Sequence, residues 1–333
     1  MPLVPIGALV RPGRGLGAFN VITLEHAEAI VAGAEAARLP VVLQISQNCV
    51  RFHHGRLLPI ARAAAAVAQA ATVDVALHLD HVQDEALLRQ AADAGFGSVM
   101  VDASRLPYAG NVAATLAAAR WAHQRGLWLE AELGEVGGKD TAGRDTAGRD
   151  TAGRDTACRD TAGRDTAGRD TAGRDTAGRD TAGGSAARGA HDPQARTDPD
   201  QAARFVAATG VDALAVAVGS VHAMTTRTAR LDHDLIARLR AAVGVPLVLH
   251  GSSGVPDGEL RRAVRQGIAK VNIGTALNVA LTGALRQRLA DDPGVTDPRR
   301  YLAPARDAMA ATVAGLLGVL ALRDDDLTEH DIA

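Results

Sequence analysis

Cysteine is nearly absent from this 333-residue chain. Cys49 and Cys158 are the two present, and neither belongs to a Cys-x-x-Cys pair. A disulfide framework and a cysteine-built zinc site are therefore not expected, and a reducing cytoplasm is the default compartment. Aromatic residues make up 2% of the chain while alanine, glycine and arginine abound; this reads as compositional drift and carries no function. No excess of either charge exists, the net value being -2, so nothing favours nucleic acid or an anionic membrane as partner. No apolar run reaches the roughly 18 residues of a membrane span. The opening residues, MPLVPIGALVRPGRG, lack the apolar stretch of a secretory signal, so none is expected. What is present is 47% hydrophobic residues, enough for a full core. The length is near that of one α/β barrel, roughly 250 residues before insertions.

One segment breaks the pattern. From Asp140 to Gly183 the chain repeats Asp-Thr-Ala-Gly-Arg, with eight full copies, the one at Asp155 carrying Cys158 in place of glycine. Each copy is charge-neutral and has no large apolar side chain. Such a segment buries too little surface to offset its ordering entropy, and a period of five fits neither a helix face nor a solenoid unit. The expectation is a flexible, disordered insertion at 140–183 within a single domain spanning 1–333.

Outside the repeat, short apolar runs alternate with amphipathic stretches. The runs predict strands over 18–22, 41–46, 75–80, 98–103, 127–133, 213–219, 246–251 and 270–275. Helical patterns fall at 25–38, 56–70, 85–94, 112–124, 199–208, 234–242, 258–265 and 277–289, with a final helix at 304–320. Eight β-then-α units imply a parallel sheet, and eight is the number that closes into a TIM (β/α)8 barrel. The insertion then falls after strand five, and an extra C-terminal helix follows the last unit.

Active sites of such barrels occupy the C-terminal strand ends, and polar residues of this chain collect there. Strand three ends in His78-Leu79-Asp80-His81, strand four in Asp102-Ala103-Ser104, and strand five carries Glu130-Ala131-Glu132. Strand six runs into Gly219-Ser220-Val221-His222, strand seven into His250-Gly251-Ser252-Ser253-Gly254, and strand eight holds Asn272-Ile273-Gly274-Thr275. His81, His222 and His250 form a candidate zinc set: neutral imidazoles suit zinc, and three ligands leave a position open for substrate. His78 precedes Asp80 by two and shares its side of the strand, either supporting the site or packing in the core. His53 and His54 read as a loop before a helix. The Gly-Ser turn after strand seven suits a phosphate, backed by Asn272 and Thr275 on the neighbouring strand. No lysine stands at the mouth for a Schiff base; Lys270 lies at the start of strand eight, the wrong end. Asp80, adjoining a candidate metal ligand, is a carboxylate placed to move a proton.

These motifs, with Ala18-Phe19-Asn20-Val21, Ser98-Val99-Met100-Val101-Asp102, Thr197-Asp198-Pro199 and Val248-Leu249-His250-Gly251, give the chain a resemblance to class II fructose-bisphosphate aldolases, a family that includes tagatose-bisphosphate aldolases. The likeness runs from about residue 3 to residue 320, interrupted by the repeat. It implies that His81, His222 and His250 hold a catalytic Zn2+ and that Asp80 is the acid/base at the C4 hydroxyl. It also implies that Asp102 and Glu132 flank an alternative buried metal site and that Asn272 helps hold the enediolate. Gly251, Ser253 and Thr275 match the site for the dihydroxyacetone phosphate group. Asn20 and Ser46 match substrate-binding positions, and Arg299 matches an arginine that meets the other phosphate. A monovalent cation, Na+ or K+, near the first phosphate and a homo-oligomer, dimer or tetramer, are further implications.

The departures are specific. Family members often have His-Gly where this chain has His222-Ala223, Ser252 takes the middle place of the phosphate turn, and Gly274 stands where some members carry Asp. The family's loop after strand five can carry a glutamate that removes the enolising proton. Here no Glu occurs between Glu135 and Glu259, so Glu135 or an unassigned group must serve. The expected activity is reversible aldol cleavage of a ketose 1,6-bisphosphate; a tagatose-bisphosphate or related sugar-phosphate aldolase and an inhibited, non-catalytic barrel are the alternatives. A barrel metallohydrolase is disfavoured, because strand one offers Asn20 and no histidine.

Overall fold

The computed structural model describes residues 3–134 and 196–323. The repeat at 140–183, Glu135 and Cys158 lie outside the described residues. Eight parallel strands pair in sequence order, and the last pairs with the first to close a barrel. They are β1 Leu16–Asn20, β2 Val41–Ser46, β3 Val75–Val82, β4 Ser98–Val101, β5 Trp128–Leu133, β6 Ala213–Val216, β7 Leu247–Leu249 and β8 Ile268–Ile273. The helices are α1 Leu24–Ala37, α2 Gln47–Phe52, α3 Leu57–Ala70, α4 Glu85–Leu88, α5 Tyr108–His123, α6 Pro199–Thr209, α7 His233–Ala242, α8 Asp257–Gln266, α9 Thr275–Asp291 and α10 Pro298–Leu320.

Register sorts the barrel interior into levels. Ala18 pairs with Val42, and Val42 with Ala76; one step up, Asn20 pairs with Gln44 and Gln44 with His78; at the next, Ser46 pairs with Asp80. Side chains two apart share a strand face, so the interior passes from apolar to polar along the axis. Its lower end is plugged by Ile6, Leu9, Leu16, Ala18, Val42 and Ala76. The opposite strand faces, with Phe19, Leu43, Ile45, Leu77, Leu79 and Leu129, pack under the helices as the main core. The buried carboxylates Asp80, Asp102, Glu130 and Glu132 thus gather on the axis and at its upper mouth.

Several boundaries differ from expectation. β1 and β8 begin two residues early, at Leu16 and Ile268, so Lys270 is not at the start of its strand but inside it. Helix 85–94 shrinks to α4 with turns beyond it. The unexpected α2 is capped by Ser46, whose Oγ accepts from Cys49 N at 3.1 Å, and His53 and His54 follow this helix. α10 starts at Pro298, not Pro304. Its cap is Asp297, which accepts from Arg299 N. Pro304 inside the helix cannot donate to Arg300 O; Arg288 Nε–H on α9 donates to that carbonyl at 3.3 Å instead.

Candidate active site

The upper mouth opens as a cleft of about 710 Å³ lined by Asn20, Ser46, Asp80, His81, Asp102, His222, Gly251, Ser253, Asn272 and Thr275, among others. Ten of the thirteen residues expected from the sequence to serve the site are in that lining. Glu132 and His250 lie just beneath it, fully buried. Arg299 is the exception, the thirteenth expected residue. It stands at the first turn of α10, its side chain 89% exposed and paired with Asp297 at 2.7 Å, and it does not line the cleft. Arg51 and Arg105 do. Sequence reasoning passed over both, since neither falls at the end of a strand.

The β3 backbone explains how consecutive residues both reach the mouth. Regular alternation would send Asp80 and His81 to opposite faces. A register shift between Leu79 and Val82 interrupts the ladder to β4, and His81 takes a left-handed conformation, φ +49°. The bulge re-aims the imidazole, leaving His81 Nε2 3.9 Å from Asp80 Oδ2. His81 Nδ1–H donates to Asp102 Oδ2 at 3.1 Å, and Asp102 Oδ1 accepts from Ser104 Oγ at 2.6 Å. Such a carboxylate partner fixes the ring and its tautomer.

His250 enters from the end of β7 between two carboxylates. Its Nε2–H donates to Glu130 Oε1 at 2.9 Å, and Nδ1 lies 3.4 Å from Glu132 Oε2. Gly251 follows with φ +66°. A Cβ there would stand 2.6 Å from the carbonyl carbon of Val221, so only glycine lets this turn pack on the backbone leading to His222. The three rings converge: His81 and His250 centroids are 4.8 Å apart, His81 and His222 5.4 Å, His222 and His250 5.9 Å.

A metal fits this donor set. Ligand atoms of His81, His222 and His250 all lie within 4.8 Å of one another, as do those of His81, Asp102 and Glu132. With Nε2 on Glu130, His250 Nδ1, 3.4 Å from Glu132 Oε2, is the ring nitrogen that could turn to a metal, and Asp80 Oδ1 is buried with no hydrogen bond among the described residues. Burial opposes a charge on His250, yet Glu130 and Glu132 outweigh it and raise the metal-free imidazole to about 9. The pocket therefore selects a cation. Burial alone would raise the Asp80 carboxyl, but His81, His250 and Lys270 hold it below its ordinary value, so it is a carboxylate at neutral pH. Burial and the nearby Lys270 push His78 down to about 3. This neutral ring sits on the Asp80 side of β3, its Nδ1 2.8 Å from Ser98 Oγ.

The phosphate-suited turn lies beside the N-terminus of α9. Ser253 Oγ accepts from Ala276 N at 3.1 Å, which binds the turn after β7 to the first turn of α9. Ala223, where the resemblance leads one to expect glycine, has φ +61°.

Comparison with known proteins gives this geometry its context. The family described as fructose-bisphosphate aldolase class-II matches residues 10–324. A fructose-bisphosphate aldolase of Geobacillus stearothermophilus is 34% identical over 301 residues, covering 90% of this chain and 89% of the relative. One from Staphylococcus epidermidis is 32% identical, covering 95% and 96%. Among solved structures, the YdjI aldolase of Escherichia coli K12 superposes with a TM-score of 0.68 at 26% identity over 92% of each chain. A match across almost the whole barrel, with three imidazoles and a buried carboxylate at its mouth, leads to one conclusion: this chain belongs to the class II fructose-bisphosphate aldolase family.

Proposed function

We propose that this lyase reversibly cleaves fructose 1,6-bisphosphate to dihydroxyacetone phosphate and glyceraldehyde 3-phosphate. The observation that carries the reading is the convergence of His81, His222 and His250 on one point beside the ionised Asp80, in a chain of this family. In cleavage, Asp80 takes the proton of the C4 hydroxyl as the C3–C4 bond breaks, and it returns a proton to the aldehyde oxygen in the reverse direction. His81, His222 and His250 would hold Zn2+, which when bound supplies Lewis-acid stabilisation of the enediolate. Asp102 and Glu132, with His81, offer the alternative buried metal position. Asn272 donates from its amide to the enediolate, and Asn20 and Ser46 contact the substrate from β1 and β2. Gly251, Ser253 and Thr275 hold the phosphate of the dihydroxyacetone half, where the N-terminus of α9 favours an anion. Arg51 and Arg105, which line the cleft, would meet the distal phosphate; Arg299, which the resemblance suggests for that role, is outside the lining.

The proposal extends on the family resemblance to a Na+ or K+ ion near the first phosphate, to a dimer or tetramer, to a single domain interrupted by the repeat, and to the cytoplasm. No helix among the described residues is long and apolar enough to cross a membrane. The test is to incubate zinc-loaded protein with fructose and tagatose 1,6-bisphosphates and measure triose phosphate. Release from the fructose epimer, abolished by a chelator and restored by zinc, is expected. Preference for the tagatose epimer would reassign the substrate, and no triose phosphate from either would refute the reading.

A further inference from the structure

Lys270 is fully buried inside the barrel, and the mechanism above makes no use of it. Its Nζ donates to Asn272 Oδ1 at 2.8 Å and to Glu130 Oε2 at 2.8 Å. The other oxygen of Glu130 accepts from His250 Nε2–H at 2.9 Å. We propose that Lys270 is a positioning residue whose single ammonium sets the orientation of the Asn272 amide and, through Glu130, of the His250 ring. The proposal rests on the aldolase reading for the role of Asn272, and on geometry alone for the rest.

A buried charge is costly, and an apolar filler of the same volume commonly serves a core equally well or better. The register partners of Lys270, Leu16 on β1 and Val248 on β7, show that this barrel uses such fillers freely. The lysine must therefore supply something an apolar side chain cannot. At Asn272 it supplies direction. The two ends of a side-chain amide have nearly the same shape, and hydrogen bonds decide which faces where. An ammonium is donor only, so it takes the carbonyl oxygen and turns the NH2 group away. Asn272 Nδ2 has no partner among the described residues, and Asn272 lines the cleft. A donor pre-aimed at a developing oxyanion stabilises it; a reversed amide would present an acceptor and repel it.

At Glu130 the same cation supplies an anchor. One oxygen is pinned by the ammonium, so the other meets the imidazole at a set angle. His250 Nε2 is thereby made the donor, and Nδ1 is left to face His81 and His222. One strand thus ties two groups of the site together, with Lys270 and Asn272 two residues apart on the interior face of β8.

The experiment compares the parent with Lys270→Met and with Lys270→Met/Glu130→Gln, which removes both charges while keeping volume and an acceptor for His250. The single variant strands Glu130 and is expected to melt early. The double variant is expected to melt like the parent, yet to lose about 10²-fold in kcat with KM little changed, the size of one lost oxyanion donor. Zinc affinity of the double variant, read by chelator competition without turnover, is expected to fall about tenfold. A folded double variant with parental kcat and parental zinc affinity would overturn the proposal, as would a change confined to KM. A crystal structure of the zinc-loaded parent with a dihydroxyacetone phosphate analogue tests it without a variant. Asn272 Nδ2 must lie within about 3.2 Å of the analogue, and a reversed amide or a Lys270 turned away from Asn272 overturns it. A parent that makes no triose phosphate would sink the aldolase reading instead, and the zinc comparison would still decide the part played through His250.

Discussion

Single side chains decide most of what this site can do. Asp80→Ala is expected to keep zinc affinity while kcat falls about 10²–10⁴-fold, the range for a positioned acid/base; His250→Ala is expected to lose metal and turnover together. Chelator competition alongside steady-state kinetics separates the two. Ala223 sits at φ +61°, where a side chain costs about 1–2 kcal/mol. Ala223→Gly is expected to gain up to about 1 kcal/mol after the added entropy of the unfolded chain, read as a higher urea midpoint. Burial pushes the Cys49 thiol up to about 12. A Cys158→Ser variant, with Cys49 as its one cysteine, is therefore expected to resist a thiol reagent at pH 8 when native and to react on adding denaturant; rapid native labelling would contradict the burial. Much of the cluster was legible beforehand, because polar residues at successive strand ends share one mouth and His78 shares the side of Asp80 by simple alternation. The bulge that turns His81 was not, since it breaks that alternation and no glycine marks it. Lys270 was misread because β8 begins at Ile268, two residues before the apolar pattern becomes clear. Arg299 pairs with Asp297, two residues away, a local competitor that the resemblance does not weigh.

At the scale of elements, the eight-fold alternation carried the fold, and errors gathered where short-range signals competed. Asp297-Pro298 and Pro304 are both possible helix starts, and the Asp cap wins because Arg288 satisfies the carbonyl that Pro304 leaves free. α2 has too few residues for a periodic pattern, and only its Ser46 cap announces it. Thr197, in contrast, is local in sequence and long-range in effect. It donates to Leu133 O at 2.6 Å and accepts from Ala217 N at 2.8 Å, tying the top of β5 to the end of β6. Helix α1 packs tightly on α10, where a Cβ on Gly33 would lie 2.5 Å from Ala310 O and 2.7 Å from Val313 Cβ. Gly33→Ala is expected to cost about 1–3 kcal/mol as the helices are forced apart. Gly315, on the exposed side of the same α10, has nothing within 4 Å of a Cβ, and Gly315→Ala is expected to gain about 0.5–1 kcal/mol. Thermal melts of the two variants should shift in opposite directions; a shared direction would show that helix propensity, not the contact, dominates at both sites.

For the molecule as a whole, β5 and β6 pair directly, from Glu130 with Ala213 to Leu133 with Val216, so barrel closure does not pass through the repeat. Deleting residues 140–183 shortens the connection between Gly134 and Arg196 roughly fourfold, worth about 1 kcal/mol at 0.6 per doubling. The expected result is a melting temperature within a few degrees of the parent and unchanged zinc affinity; a collapse on deletion would show that the repeat is part of the folded enzyme. The seam of the barrel has a different consequence, one of timing. β1 pairs with β8, from Leu16 with Lys270 to Phe19 with Ile273, and Gly15 N donates to Leu320 O at 3.0 Å just below it. During synthesis the first strand must wait for the last, roughly 12–50 s at about 5–20 residues per second. Throughout that wait the growing sheet carries two open edges, the kind of surface that recruits other chains. The three histidines run from residue 81 to residue 250, so a nascent chain cannot assemble the metal pocket before residue 250 has emerged. The protein is most exposed to misassembly, and least able to be rescued by zinc, while it is still being made.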